Sequence, residues 1–281
     1  MAMSQALRQL KRWTAPKRIG TPRSATMRAM ATKRGGRCAG AWVITGGASG
    51  FGREFARRLA ARGEQLVLWD LDRSALARAA AELGVGVYTD VVDVRDPEAL
   101  VEAAKRARAA VGPLGHVANC AGVLRVGKAE DVPAADYKLM MDINYLGSVY
   151  VTQALLPHLD EAAANGGKAT LLLVASVSGL RGFPQLAGYC ASKFALAGFS
   201  EALRAELMSE GIDVCTIYPG AVETEIFDAA ANSTGLEMPN YVPKFPASQM
   251  AKSLISQCAV FFDSIAMRAP FSSPSVCRCA A

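Results

Sequence analysis

From position 41 onward, short apolar runs alternate with longer stretches rich in Ala, Arg, Glu and Leu, in which apolar residues recur at helical spacing. The short runs predict strands at 42–45, 65–69, 85–92, 116–119, 170–175 and 213–218, and the longer stretches predict helices at 53–62, 74–83, 97–111, 135–158 and 188–209. Strand and helix taking turns in this way is the signature of repeated βαβ units and a parallel sheet. Several of the runs are apolar at every position, which a sheet covered by helices on both faces requires. Crossover connections in such sheets are right-handed, so the economical arrangement is a single α/β domain with a doubly wound parallel sheet over 41–265. No internal repeat is present.

The first forty residues follow another pattern. At about 100° per residue, Met3, Ala6, Leu7, Leu10 and Trp13 fall within an arc of about 120°, with Arg8, Lys11 and Arg12 opposite. After Pro16 the periodicity dissolves into Pro, Gly, Ser, Thr and Arg, a composition too polar to order itself by burial. Residues 1–40 hold ten Lys and Arg and no Asp or Glu. Such a segment reads as a mitochondrial or plastid transit peptide, or as a disordered basic arm. It also changes the meaning of the formal charge of +6: taking ten from 31 Lys+Arg leaves 21 against 25 Asp+Glu, so residues 41–281 carry −4. An acidic body argues against nucleic acid as a partner. No run of 18 or more apolar residues occurs, so no transmembrane segment is expected.

Seven scattered cysteines in a chain of 281 residues do not form a disulfide framework, and they fit a reducing interior compartment. Cys277 and Cys279 stand close together without a nearby His or third Cys, so no metal site is expected. With only His116 and His158 available, and neither in a demanding motif, a Ser-His-Asp triad has no footing.

Two constellations carry chemistry. The first predicted strand runs into Thr45-Gly46-Gly47-Ala48-Ser49-Gly50-Phe51-Gly52 and then a helix. Glycines at a strand-to-helix turn let the backbone approach a pyrophosphate, which then rests on the N–H groups and positive end of the helix. Asp70, twenty residues after Gly50, ends the second predicted strand, where a carboxylate accepts hydrogen bonds from the adenosine ribose and repels a 2′-phosphate. NAD is therefore expected rather than NADP, although Asp70 also reads as an ordinary turn residue before Leu71-Asp72. Further on, Ser176 precedes Tyr189 and Lys193, which stand four apart and so share a helix face. Moving a tyrosine from its reference pKa near 10 to about 7 requires roughly 4 kcal/mol in favour of the phenolate. A nearby Lys and an oxidised nicotinamide could supply it, and a proton acceptor tuned near working pH is what an alcohol losing a hydride needs.

Taken together, these motifs resemble those of classical short-chain dehydrogenases/reductases, over about residues 40–225. Thr45 to Gly52 matches the family's glycine motif, with Gly46, Ser49, Gly50, Phe51 and Gly52 toward the cofactor; Asp93-Val94 matches the adenine contact, and Asn119-Cys120-Ala121-Gly122 matches Asn-x-Ala-Gly. The four catalytic positions correspond to Asn144, Ser176, Tyr189 and Lys193, and the spacing of thirteen residues to Tyr189 selects Ser176 over Ser178. Pro219-Gly220 with Val222 and Thr224 resembles the segment that orients the nicotinamide carboxamide. The resemblance implies a Rossmann domain in which Tyr189 exchanges a proton with the substrate oxygen. Ser176 holds that oxygen, Lys193 lowers the Tyr189 pKa and binds the nicotinamide ribose, and Asn144 anchors a water leading to Lys193.

Within the family the sequence looks most like the hydroxysteroid and retinol dehydrogenase branch, which implies a lipophilic alcohol or ketone as substrate. The segment 226–245, with Ile226, Phe227, Leu236, Met238, Tyr241, Val242 and Phe245, reads either as an apolar lid over the substrate or as ordinary packing. A homodimer or homotetramer is implied by the family. After a helix at 247–258, however, only Val260-Phe261-Phe262 offers a last strand, and 266–281 reads as a disordered tail, which departs from the family pattern. The alternatives to an NAD-dependent alcohol dehydrogenase are an NADPH-dependent reductase of carbonyl or 3-oxoacyl-thioester substrates and an inactive NAD-binding scaffold. A Rossmann-like methyltransferase leaves Ser176, Tyr189 and Lys193 without a purpose.

Overall fold

The computed structural model describes residues 40–84, 86–223, 226, 244–249 and 251. The basic leader, Thr224, all of the 226–245 segment except Ile226 and 244–245, the 260–262 strand candidate and the 266–281 tail lie outside the described residues.

Six strands form one parallel sheet: β1 (Ala41–Thr45), β2 (Leu66–Asp70), β3 (Val87–Val91), β4 (Leu114–Asn119), β5 (Ala169–Val174) and β6 (Ile212–Ile217), in the order β3-β2-β1-β4-β5-β6. The chain begins in the middle, winds outward to β3, then crosses back to β4 and winds the other way. The reversal lies between β1 and β4, and ligand crevices in such sheets open beyond the carboxyl ends of the strands at this point.

Alternate residues of each strand serve opposite faces. Trp42 and Ile44 of β1 join Leu66 and Leu68 of β2 beneath α1 (Gly50–Ala60) and α2 (Arg73–Leu83), which contribute Phe55, Leu59 and Leu76. Ala41 and Val43, with Val67 and Trp69, face α3 (Pro97–Val111), α5 (Ser148–Ala164) and α6 (Ala187–Leu207), which contribute Leu100, Leu155 and Leu196. Both faces are buried, hence the strands that are apolar throughout. Asp72 and Asp96 cap α2 and α3, each accepting two backbone N–H bonds, and Gly84 and Gly112 end them at positive φ.

Three elements differ from the expectation. The predicted helix at 135–158 is α4 (Ala134–Met140), a π-helical turn over Met141–Gly147, and α5, in unbroken succession. Apolar spacing does not reveal the change of hydrogen-bond register. Val87–Val91 is shorter than the predicted 85–92 strand. A small parallel pair, β7 (Ala221–Glu223) and β8 (Lys244–Pro246), sets Val222 opposite Phe245; three-residue strands leave no periodic trace. Of the helix expected at 247–258, residues 247–249 and 251 are described, all helical, with Ala251 fully buried. Among the described residues no helix is long and apolar enough to cross a membrane.

Candidate active site

At the carboxyl end of β1, the glycine turn has little room for side chains. Gly46 (φ 61°) and Gly50 (φ 48°) occupy the left-handed region that L-residues avoid. A Cβ on Gly52 would strike the Gly46 carbonyl oxygen, and one on Gly46 would lie 3.0 Å from the Ala121 backbone. Ser49 takes the N-cap position of α1 in an extended conformation, its side chain making no cap bond, and no acidic residue lies in the first turn. In contrast to α2 and α3, the first N–H groups of α1 therefore remain open to an anion.

Asp70 reaches back to this turn. Its Oδ2 accepts from Ala48 N at 3.1 Å and its Oδ1 from Asp72 N at 3.2 Å, while Asp72 itself serves as the α2 cap. Asp70 thus holds the glycine turn while Asp72 starts α2. Asp93 is engaged by Arg95, whose Nη2 stands 2.6 Å from Oδ2, and this contact holds its carboxyl below the usual carboxylate range. Val94 is buried against Gly147, where a Cβ would come within 2.8 Å of its Cγ2. Asn119 is buried behind the turn, its Nδ2 3.5 Å from the Ser148 carbonyl oxygen. It supports the wall of the site rather than lining it.

Ser176 ends the β5 connection as the N-cap of a 3₁₀ turn, Val177–Gly179. Its Oγ accepts from Ser178 N at 3.1 Å and lies 3.4 Å from the Pro219 carbonyl oxygen. Tyr189 and Lys193 enter from α6, with Lys193 Nζ 5.7 Å from the centre of the Tyr189 ring and donating to the Val174 carbonyl at 2.8 Å. A cleft of about 340 Å³ runs from the glycine turn to these side chains. Gly46, Ser49, Gly50, Phe51, Gly52, Ala121, Gly122, Ser176, Tyr189, Lys193 and Pro219 line it, together with Cys120, Arg125 and Ile226. Asp70, Asp93, Val94, Asn119 and Asn144 stand outside this lining. Val222 belongs to β7 by its backbone, and Thr224 is outside the described residues.

The family model described as short chain dehydrogenase matches residues 41–234. The chain belongs to this family. A relative, the 2-dehydro-3-deoxy-L-rhamnonate dehydrogenase (NAD(+)) of Sphingomonas sp. (strain SKA58), is 32% identical over 77% of this chain and 84% of its own. Among solved structures, the 3-ketoacyl-(acyl-carrier-protein) reductase from Brucella melitensis complexed with NADH is similar at a TM-score of 0.71 and 27% identity, covering 79% of this chain and 91% of that one. A short chain dehydrogenase/reductase from Burkholderia phymatum in complex with NAD gives 0.70 and 25%, covering 85% and 99%. The protein is thus an oxidoreductase acting on CH–OH groups with a nicotinamide cofactor.

In this short-chain dehydrogenase, burial dominates the titration of the site. It pushes the Tyr189 phenol up to about 12, against the pull of hydrogen bonding with Ser176, and draws Lys193 down to about 8, against the pull of Cys120. The lowering of Tyr189 expected from Lys193 does not appear in the protein alone: burial raises the phenol, and the opposing pull comes from Ser176. Burial likewise pushes the Cys120 thiol up to about 12, which leaves it a poor nucleophile.

Three supporting residues, Ser192, Gly179 and Arg125, escaped the motif reading, and the support given by a fourth, Thr45, was not foreseen. Thr45 Oγ1 accepts from the backbone N–H groups of Cys120 and Ala121, both at 3.2 Å, tying β1 to the strand across the switch point. Ser192 links the two helices of the site: it accepts from Asn144 Nδ2 at 2.9 Å and donates to the Tyr189 carbonyl at 2.8 Å. The Asn144 amide also clasps both backbone groups of Val123, and its backbone carbonyl accepts from Ser148 Oγ at 3.0 Å. Gly179 lets the serine turn lie directly on α6, since a Cβ there would be 2.7 Å from the Lys193 carbonyl oxygen. Arg125 lines the cleft at the exit of β4. Only Thr45, as the first residue of the glycine motif, left a signal in the sequence.

Proposed function

We propose that this enzyme interconverts a lipophilic secondary alcohol and its ketone with NAD(H), using Tyr189 as the proton donor and acceptor. The observation that carries the reading is that Ser176, Tyr189 and Lys193 share one cleft with the glycine turn. The turn fits a dinucleotide: its glycines leave no room for a Cβ, and the open end of α1 suits a pyrophosphate. Asp70 would accept from the adenosine ribose, Asp93-Val94 would flank the adenine, Lys193 would hold the nicotinamide ribose, and Pro219, Val222 and Thr224 would orient the carboxamide. A bound nicotinamide supplies the acceptor or donor of the hydride.

Ser176 hydrogen-bonds the substrate oxygen and fixes it beside the Tyr189 hydroxyl. Tyr189 takes the alcohol proton during oxidation and returns it during reduction. Lys193 favours the phenolate by its charge, and a water held at Asn144 passes protons onward. Leu124, Val126, Leu186 and Cys190 form an apolar cluster against which Phe183, Tyr189 and Ile226 pack, and Leu124 and Ile226 bring it to the cleft, where it supports a lipophilic substrate. The likeness to a 3-ketoacyl-(acyl-carrier-protein) reductase favours, as a second reading, reduction of an acyl-thioester ketone.

Long-chain alcohols, steroids, retinol and acyl-carrier ketones, each offered with NAD and NADP, separate the two readings. We expect faster turnover with NAD and an alcohol, and a loss of about 10³-fold in kcat on Tyr189→Phe with NAD affinity nearly intact. Turnover retained in that variant overturns the assignment of Tyr189, and faster turnover with NADPH overturns that of NAD.

A further inference from the structure

We infer that the substrate carries an anionic group, a carboxylate or its equivalent, and that Arg125 receives it. This rests on the alcohol–ketone reading above and specifies the substrate of the same site.

The cleft is electrostatically one-sided. Its charged side chains, among the described residues, are Lys193 and Arg125, and no Asp or Glu lines it. Lys193 is already directed at the Val174 carbonyl beside Tyr189. Arg125 lies elsewhere along the same wall. The chain leaves β4, passes the glycine turn at Ala121, and then places Leu124 and Val126 in the apolar cluster against Tyr189, Phe183 and Ile226. Arg125 stands between these two residues in the chain and, like Leu124, lines the cleft.

Its guanidinium is incompletely used. Nε faces Asp136 Oδ1 at 3.3 Å, long for a charge-assisted bond, and Nη1 donates to the Leu124 carbonyl at 3.0 Å. Nη2 makes no hydrogen bond among the described residues. The Arg125 and Asp136 side chains are each 19% exposed, so the pair is sheltered but open at one edge. A planar fork with a free donor, in the same cleft as Leu124, Ile226 and the proton-transfer groups, is suited to a carboxylate at the end of a hydrocarbon chain. Asp136 competes for the same donors, which keeps the cation oriented when no anion is bound and sets the selectivity below its maximum.

The test compares a series of secondary hydroxy acids with their methyl esters, which share the carbon skeleton and lack the charge. For the wild-type enzyme with NAD, kcat/KM for the best acid should exceed that for its ester by about tenfold or more, through KM. Arg125→Leu should collapse the ratio to about one, Arg125→Lys should restore part of it, and Asp136→Asn should raise it above the wild-type value. A purely structural Arg125–Asp136 brace cannot produce an increase. Equal use of acid and ester by the wild type, an equal fall for both in Arg125→Leu, or a rise in KM for NAD rather than for the acid each overturns the proposal while leaving the alcohol–ketone reading in place. Absence of turnover with acids and esters alike, in an enzyme that binds NAD, overturns both.

Discussion

Lys193 shows how much a single site residue costs the fold. It is 4% exposed, donates to one carbonyl, and is drawn by burial from 10.5 down to about 8. At pH 7 the folded protein therefore holds an ammonium that the unfolded chain would keep in water, at a cost of about 3 kcal/mol from the size of that displacement. The sign is definite. The folded state releases the proton near 8 and the unfolded state near 10.5, so the penalty is complete below 8 and fades as the pH rises between the two. Lys193→Met should thus raise the melting temperature at pH 7 while abolishing turnover, and the gain should shrink above pH 8; a variant less stable than wild type at pH 7 contradicts this. At this scale the motif residues were legible because each demands a residue type at a set spacing. The bond from Ala48 N to Asp70 was not, since the two stand 22 residues apart and meet only in the folded sheet.

Secondary elements converge on Lys193 from two sides. The 3₁₀ turn that carries Ser176 rests on α6 through Gly179, backbone against backbone. The π-helical turn brings Asn144 to the same helix through Ser192. Gly179→Ala should therefore cost about 1–3 kcal/mol and lower kcat, because the added methyl pushes the serine turn away from Tyr189. Gly198, on the same helix with nothing near its Cβ position, serves as the contrast: Gly198→Ala should gain about 0.5–1 kcal/mol with kcat unaltered. Thermal melts and steady-state rates on the two variants check both statements, and similar losses in both would deny Gly179 its special contact. The helices themselves follow from apolar spacing and from acid caps such as Asp72 and Asp96. Their π-helical interruption does not, because it is set by what Asn144 and Gly147 must reach across the fold.

For the whole molecule, acid is the foreseeable weakness. His116 is 2% exposed in β4, stacked on Trp42 of β1 at 4.7 Å between ring centres, and neither ring nitrogen has a hydrogen-bond partner among the described residues. Burial lowers its pKa from 6.5 to about 4. The unfolded chain takes up the proton below 6.5 and the folded protein only near 4, so stability present above 6.5 drains away across that window, by up to about 3 kcal/mol. Denaturant unfolding between pH 4 and 7 should show this slope, and His116→Phe should flatten it; an unchanged slope would assign the acid sensitivity elsewhere. Such a histidine is invisible as a liability in the sequence, where 116–119 reads simply as a strand. By itself the sequence determined the doubly wound sheet, the glycine turn after β1 and the spacing of Tyr189 and Lys193 on one helix, because strand period, glycine spacing and helical spacing are local properties of the chain. The tertiary structure alone decided how Ser192 and Gly179 brace the site and that Arg125 lines the cleft. Those contacts join residues far apart in sequence, such as Asn144 and Ser192 or Thr45 and Cys120, and they form only when the packed sheet and helices hold both partners within hydrogen-bond reach.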